Sequence, residues 1–358
     1  MSIVMFGYLA QTCVFISIFI EYLINIITKV DPMKLDFDPR KNVSFFYGYY
    51  AKINKFNDLL VIKSLVKNWQ QVILFRIGII KHFKLLLRSG KVIEIKSLDD
   101  YNTFWNSEDA LDSRITQLKL KGHKIEINKK DKFFKINKFG KEIRFYFDGL
   151  DQAINTEYII EENYINEQYK HLEIKGRDII DIGANVGDTA IYFALNGAKH
   201  VYAYEPYPYS YHLAQKNIKQ NGLSDKITLI NEGCGKKGFV RISSKIKNNG
   251  STSLKSYKEG QRIRVSSLSE ILERFNLQHP ILKMDCEGCE YSSLLNTKSD
   301  ILRKFDECIV EYHYGYRNII KKFLEAGFKI NYKLPRLAYY IDGTDKETMY
   351  VGIIHAKK

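Results

Sequence analysis

The chain has 358 residues, 45% of them apolar and 27% charged, with 6 prolines and 22 glycines. This balance excludes a disordered, collagen-like or low-complexity protein and suits a folded chain of two or three domains. Lys and Arg number 55 against 41 Asp and Glu, and most of the resulting +14 falls between residues 51 and 150, so the basic bias belongs to one region.

Residues 1–30 open the chain with an apolar segment. Ser2 to Ile20 carry no charge and the run continues to Ile27, interrupted by Glu21, which is long enough to span a bilayer. Gly7, Gln11, Ser17, Glu21, Asn25 and Thr28 fall on one stripe at helical spacing, so the segment is predicted to be an amphipathic helix. Membrane association through residues 3–27 is expected, as a span or in the interface, with burial against the protein's own core as the alternative. The stretch lacks the basic start and small-residue cleavage site of a signal peptide. Lys29, Lys34, Arg40 and Lys41 follow it, which for a span leaves the rest of the chain cytoplasmic. Five cysteines, an odd number without secretory spacing, also predict a reducing, cytoplasmic compartment.

Residues 31–70 are aromatic-rich, with an apolar pattern through Leu59, Leu60, Ile62, Leu65 and Val66 that predicts a helical connector. Residues 71–150 predict a basic β-rich domain. Val72–Ile80, Phe83–Leu87 and Val92–Ile95 are apolar runs around a Ser89-Gly90 turn, and from Ile125 to Phe147 apolar residues alternate with Lys or Arg. The nine basic residues from Lys121 to Arg144 are expected to be the solvated face of these strands; a glycan, phosphate or nucleic-acid surface is the sharper alternative.

Residues 151–358 alternate strand and helix signals, the pattern of a parallel sheet covered by helices. Strands are predicted at Asp178–Gly183, His200–Glu205, Ile227–Asn231, Ile281–Asp285 and Cys308–Tyr312. Helices are predicted at Val186–Leu195, Tyr209–Asn221, Leu268–Phe275, Tyr291–Leu295 and Arg317–Ala326, with Phe328–Tyr332 and Met349–His355 closing the far edge.

Four strand ends carry chemistry. Asp181-Ile-Gly183-Ala-Asn185-Val-Gly187-Asp188 follows an apolar strand and opens a helix, where glycines allow close backbone approach and the helix N-terminus offers free N–H groups. Asn185 stands where a nicotinamide fingerprint wants its middle glycine, and Asp181 would repel a pyrophosphate. The acid suits an ammonium group instead, as in the amino-acid tail of S-adenosylmethionine. Glu205 ends the next strand, where a carboxylate can accept both ribose hydroxyls of a nucleoside. Lys283-Met-Asp285-Cys286-Glu287-Gly288-Cys289-Glu290 then places acids in the crevice at the carboxyl ends of the strands, and Glu311-Tyr-His313 puts its acid and imidazole on one face. A four-ligand zinc site would need Cys308 and His313 to converge on Cys286 and Cys289, so the latter pair is expected to be apolar filling and no metal site is expected.

With these motifs the chain resembles the FkbM-type family of S-adenosylmethionine-dependent methyltransferases. The resemblance rests on Asp181 to Asp188, Tyr204-Glu205-Pro206, Gly250-Ser-Thr-Ser-Leu254, Leu282 to Glu290 and Glu311-Tyr-His313, and covers roughly residues 155–355. Leu268-Ser269 departs from a frequent Leu-Asp of the family, and Glu232-Gly233 occupies a spot usually small and apolar. The resemblance implies an α/β fold, a Rossmann-like seven-stranded methyltransferase sheet, here following an N-terminal helical segment and a small β-rich domain. It implies O-methylation of a hydroxyl on a glycan, glycolipid or other small molecule. Asp181, Gly183, Asn185, Gly187, Asp188 and Glu205 are then the cofactor-binding candidates, and Asp285, Glu287 and His313 the catalytic ones. The basic region keeps an RNA methyltransferase as an alternative, and a membrane-tethered binding protein without catalysis is another.

Overall fold

A computed structural model describes residues 62–76, 78–242, 258–333, 335–342 and 345–358. The apolar segment of residues 3–27 and the Gly250–Leu254 motif lie outside the described residues. Among these, no helix is long and apolar enough to cross a membrane.

Helix α1 (Trp69–Arg76) stands where the sequence predicts a strand from Val72. Its buried residues, Val72 and Phe75, are three apart and share a helical face, and a continuous apolar run does not by itself separate helix from strand. Strands β1 (Phe83–Leu86) and β2 (Val92–Ile95) pair antiparallel across the Ser89-Gly90 turn. Helices α2 (Leu98–Trp105) and α3 (Glu108–Leu120) follow, with Ser97 and Ser107 as N-caps accepting from the Asp100 and Ala110 N–H groups. They make this region mixed α and β where a β-rich one is expected. Strands β3 (Ile125–Asn128), β4 (Phe133–Lys138) and β5 (Lys141–Tyr146) form the predicted antiparallel meander. Several of its cations are paired locally: Lys129 with Glu108 and Asp112, Lys135 with Glu126 and Glu142, Lys138 with Glu167, and Arg144 with Glu142.

Helix α4 (Leu150–Ile160) runs directly into a π-helical turn at Glu161–Ile165. Then come β6 (Asp178–Ile182), α5 (Asp188–Leu195), β7 (His200–Tyr204), α6 (Pro208–Gln220) and β8 (Ile227–Ile230), each within two residues of its predicted bounds. Short strands β9 (Gly233–Cys234), β10 (Gly238–Ile242) and β11 (Gln261–Ser266) make a small separate sheet that hydropathy does not signal. The chain continues through α7 (Leu268–Arg274), β12 (Ile281–Met284), α8 (Cys289–Leu294), α9 (Ser299–Leu302), β13 (Glu307–Tyr312), α10 (Arg317–Glu325) and β14 (Lys329–Tyr332). A terminal hairpin of β15 (Arg336–Asp342) and β16 (Asp345–Lys357) completes it.

The main sheet has the order β14-β16-β13-β12-β6-β7-β8, parallel from β13 to β8, with β16 antiparallel between β13 and β14. Helices cover both faces, so β6 and β12 are buried almost throughout and read as apolar runs rather than alternations. One core joins Leu111, Phe134 and Phe145 to Ile179, Ile191 and Val201, so hydrophobic packing runs across residue 150. A second core fills the opposite face of the sheet around Leu282, Val310 and Phe323, and a third, around Val72, Leu85 and Phe104, belongs to the first elements. From β6 the chain builds β7 and β8 on one side, then crosses to β12 and β13 on the other. Such a switch point opens a crevice at the carboxyl ends of the strands.

Candidate active site

The turn after β6 is held by its neighbours on both sides. The Gly183 and Ala184 N–H groups both donate to the Tyr204 carbonyl at 3.0 Å, and Asp285 N donates to the Ile182 carbonyl at 3.1 Å. Gly183 has φ +81°, and a Cβ built there would stand 1.8 Å from the Asp285 carbonyl oxygen. Only glycine lets the two strand-end loops pack this closely. Behind the turn, fully buried Asp181 accepts from Thr189 Oγ1 at 2.6 Å and pairs with Lys283 Nζ at 3.0 Å, while that ammonium also donates to the Gly183 carbonyl at 2.9 Å. Burial pushes the Lys283 ammonium down, but Asp181, Asp285 and Asp188 outweigh it and hold it above its ordinary value.

Glu205 follows β7 and is 3% exposed. Its two oxygens accept from the Asn185 and Tyr207 N–H groups, both at 2.9 Å. Burial pushes its carboxyl up to about 8 against the pull of those two bonds. Asp188 accepts from Asn163 Nδ2 at 2.7 Å and is pushed up to about 7, again by burial.

The β12 and β13 ends meet around His313, which is 3% exposed. Its Nδ1 lies 2.9 Å from Glu290 Oε1, and its Nε2 lies 3.2 Å from Glu287 Oε2 and 3.8 Å from Asp285 Oδ1. Burial opposes charge on this imidazole, yet Glu290, Glu287 and Asp285 together raise it well above its ordinary value. The three carboxylates thus favour its charged form. One oxygen each of Asp285, Glu290 and a nitrogen of His313 lie within 4.8 Å of one another, a spacing that could hold a cation only with the imidazole deprotonated.

Cys286 and Cys289 are joined by a disulfide, which corrects their reading as separate apolar fillers. Between them Glu287 and Gly288 have φ +57° and +113°, and this tight turn brings the two Cα atoms to 5.4 Å, inside the range that a disulfide bridges. Cys234 and Cys308 are buried thiols, and Cys13 lies outside the described residues.

A cleft of about 240 Å³ gathers six of the nine predicted residues, Gly183, Asn185, Asp188, Glu205, Asp285 and Glu287, along its wall. Asp181, Gly187 and His313 are not on that wall. Sequence reasoning missed Asn163 and Glu162, which reach the cleft from the π-helical turn, and Lys283, which is quoted within a motif but not assigned. A π-turn leaves no hydropathy signature, although such turns recur at functional sites. The cleft also includes Glu232, whose carboxylate accepts from Arg274 at 3.0 Å. The wall fits a ligand rich in donors: Oδ1 of Asn185 and Oδ1 of Asp188 are buried there without a hydrogen-bond partner, and each Glu205 oxygen, with two lone pairs, can accept once more.

Sheet order, switch point and strand-end acids together define a Rossmann-like methyltransferase fold. Residues 181–330 match the family model described as the methyltransferase FkbM domain, so the resemblance read from the motifs holds over that span. Among curated proteins, 92 residues are 32% identical to protein arginine N-methyltransferase 1.1 of Arabidopsis thaliana, an alignment covering 24% of this chain and 23% of that protein. The chain thus spans about a quarter of the length of the curated relatives it matches. Similar solved structures include M. capricolum TrmK in complex with S-adenosyl-homocysteine, at 17% identity, TM-score 0.32, 51% of this chain and 62% of that one. Another is a SAM-dependent methyltransferase from Agrobacterium tumefaciens, at 12% identity, TM-score 0.35, 63% of this chain and 70% of that one. A methyltransferase domain of this family takes its methyl group from S-adenosylmethionine.

Proposed function

We propose that the chain transfers the methyl group of S-adenosylmethionine to a hydroxyl oxygen on a glycan, glycolipid or other small molecule. The observation that carries this reading is Asp285. Its side chain is 29% exposed at the end of β12, on the wall of the cleft, whereas Asp181, Glu205 and Glu290 are all buried.

Bound in the cleft, S-adenosylmethionine supplies an electrophilic methyl group. The chain's own residues do the rest by holding and deprotonating. Glu205 accepts from the two ribose hydroxyls while its N–H bonds to Asn185 and Tyr207 fix its orientation. Asn185 and Asp188 offer their unpartnered oxygens to the ammonium of the amino-acid tail. Asp181 acts from behind the wall, through Lys283 and Thr189, to keep the turn in place, and Gly187 lets helix α5 start where it does. On the acceptor side, Asp285 would orient the hydroxyl and take its proton as the carbon–oxygen bond forms and the methyl–sulfur bond breaks, with S-adenosylhomocysteine the leaving thioether. Glu287 helps hold the acceptor. His313, already protonated, positions Glu287 and Glu290 rather than acting as the base. The ion-paired lysines of the β3–β5 meander give an RNA substrate less support than a neutral acceptor. The apolar run at residues 3–27, with Glu21 its one charge, supports an acceptor carried by a membrane.

The test incubates the full chain with S-adenosylmethionine labelled in its methyl group and separate lipid, glycan and RNA fractions. Label in lipid or glycan, stable to mild base as an ether is, supports the reading; label confined to RNA or protein overturns it. Asp285→Asn should lower turnover by about 10²- to 10⁴-fold with S-adenosylhomocysteine affinity kept. Near-normal turnover in that variant would remove Asp285 from the chemistry.

A further inference from the structure

A second cavity, of about 720 Å³, lies away from the cleft, between α1, α2, α3 and α4. Arg114 of α3 lines it and is 5% exposed. Its Nε donates to Glu157 Oε2 at 2.7 Å, but Nη1 and Nη2 are buried without any hydrogen-bond partner, as is Glu157 Oε1. A guanidinium facing a carboxylate commonly uses two parallel N–H bonds. Here the pair is joined along one edge only, and the terminal fork stays open. Buried donors of a charged group are costly to leave unpaired, so a site that retains them calls for a ligand that accepts from them.

The surroundings select the ligand. Arg76 and Lys121 add positive charge at the cavity, and Trp105 and Tyr158 give it aromatic surface, with Arg114 Cζ lying 5.0 Å from the Tyr158 ring centroid. The polar centre sets Nη1 and Nη2 beside Glu157 Oε1, likewise unpartnered, on a carboxyl that burial pushes up to about 7. A carboxylate ligand has two oxygens, enough for the fork alone. A phosphate monoester has three terminal oxygens, two for the fork and one that accepts from the Glu157 carboxyl when it is protonated, or donates a P–OH to it when it is not. We propose that this cavity binds a phosphate monoester with an aromatic or apolar body. The site stands on the wall that also serves the cleft, since Glu157, Tyr158 and Glu161 line the cavity while Ile159, Glu162 and Asn163 line the cleft.

The inference does not depend on the methyl-transfer reading, and its test is direct binding. Calorimetry on the full chain at pH 5.0, below the second phosphate pKa of about 6, so that phosphate monoesters are largely monoanions, would compare phenyl phosphate, benzoate and the neutral benzamide, with and without saturating S-adenosylhomocysteine. Phenyl phosphate is expected to bind at least tenfold more tightly than either comparator, and equally with the homocysteine product present. Arg114→Lys, which keeps the charge and loses the fork, should weaken it at least tenfold. Lys121→Glu, on an exposed residue, should weaken it severalfold with folding intact, and so keeps the test valid if Arg114→Lys misfolds. Binding that neither variant alters, equal binding of benzamide, competition by S-adenosylhomocysteine, or no binding of phenyl phosphate at 10 mM (roughly the weak limit for a specific site) would each overturn the proposal.

Discussion

Replacing Gly183 with alanine tests the packing on which the whole cleft rests. Two costs are separable. The first is conformational: an alanine at φ +81° sits in the left-handed region at about 1–2 kcal/mol. The second is steric, because the added Cβ would lie 1.8 Å from the Asp285 carbonyl oxygen, and backbone at that distance must move. Overpacking of this kind costs about 1–3 kcal/mol. The movement would also strain the Asp285 N to Ile182 O bond and the contact of Lys283 with the Gly183 carbonyl. Gly122 provides the control, since it has φ +89° but nothing within 4 Å of its virtual Cβ. Gly122→Ala should therefore lose about 1–2 kcal/mol and keep cofactor affinity, while Gly183→Ala should lose about 2–5 kcal/mol by the sum of both costs. Denaturant titration gives the stabilities, and calorimetry with S-adenosylhomocysteine gives an affinity loss of at least tenfold for Gly183→Ala alone. Equal stability losses in the two variants, with cofactor binding intact in both, would refute the packing argument.

Glu205 links cofactor binding to protons. Its carboxyl is pushed up to about 8, and ribose hydroxyls donating to it favour the ionised form, so S-adenosylhomocysteine should release protons at pH 7 and bind more tightly as pH rises towards 8. Calorimetry in buffers of different ionisation enthalpy measures this, and a buffer-independent heat would contradict it. The same raised value, set against an unfolded carboxyl near 4.3, means that the unfolded chain binds fewer protons between the two. The Glu205 contribution to stability is thus present below about 4.3 and is lost as pH rises through about 8, which Glu205→Gln should flatten. Lys283→Met leaves Asp181 buried without its cation, and should cost about 3–5 kcal/mol in denaturant titration; a loss under 1 kcal/mol would show that the pair is dispensable (roughly the exposed-pair limit). Reducing the Cys286–Cys289 bond opens a very short loop, so unfolding stability should fall by no more than about 2 kcal/mol, measured with and without a dithiol.

Much of the main sheet is legible in the sequence because its strands are buried on both faces and each ends at a glycine or an acid. Asp178–Ile182, His200–Tyr204 and Ile281–Met284 are buried at most positions and stop just before Gly183, Glu205 and Asp285. From Val72 to Ile80 the glycine, Gly78, stands inside the apolar run rather than at its end, so length and burial pattern decide, and the outcome is the helix Trp69–Arg76. The helices at Leu98–Trp105 and Glu108–Leu120 carry readable signals in Ser97 with Asp100 and in Ser107 with Glu108 and Asp109. The small sheet of β9, β10 and β11 does not, because β9 is only two residues long and β10 and β11 are short with exposed residues among the buried ones.

The site shows a different boundary of sequence reasoning. Motif spacing identifies which residues converge, but it does not say which of them face the ligand. Asp181 and Lys283 are 102 residues apart in their motifs and meet as a buried pair 3.0 Å apart, and His313 and Glu290 do the same 2.9 Å apart. In each case two motif charges neutralise one another beneath the cleft. A buried charge without such a partner is strongly destabilising, so these residue types at these positions are required by the packing of the loops before any ligand is considered. Unpartnered oxygens alone do not separate these from the residues that face the cleft, since Asp181 Oδ1 and Glu290 Oε2 also lack a hydrogen-bond partner; position on the cleft wall does, and it picks out motif residues with acceptor oxygens. Among them are Asn185 and Asp188, each with an unpartnered oxygen, Glu205, with lone pairs beyond its two N–H bonds, and Asp285, half-exposed and 3.8 Å from the His313 imidazolium. Strand-end acids therefore differ in whether they stand on the cleft wall or behind it, and for Asp181, fully buried, and Asp285, on the wall, in motifs of similar appearance, the answers are opposite.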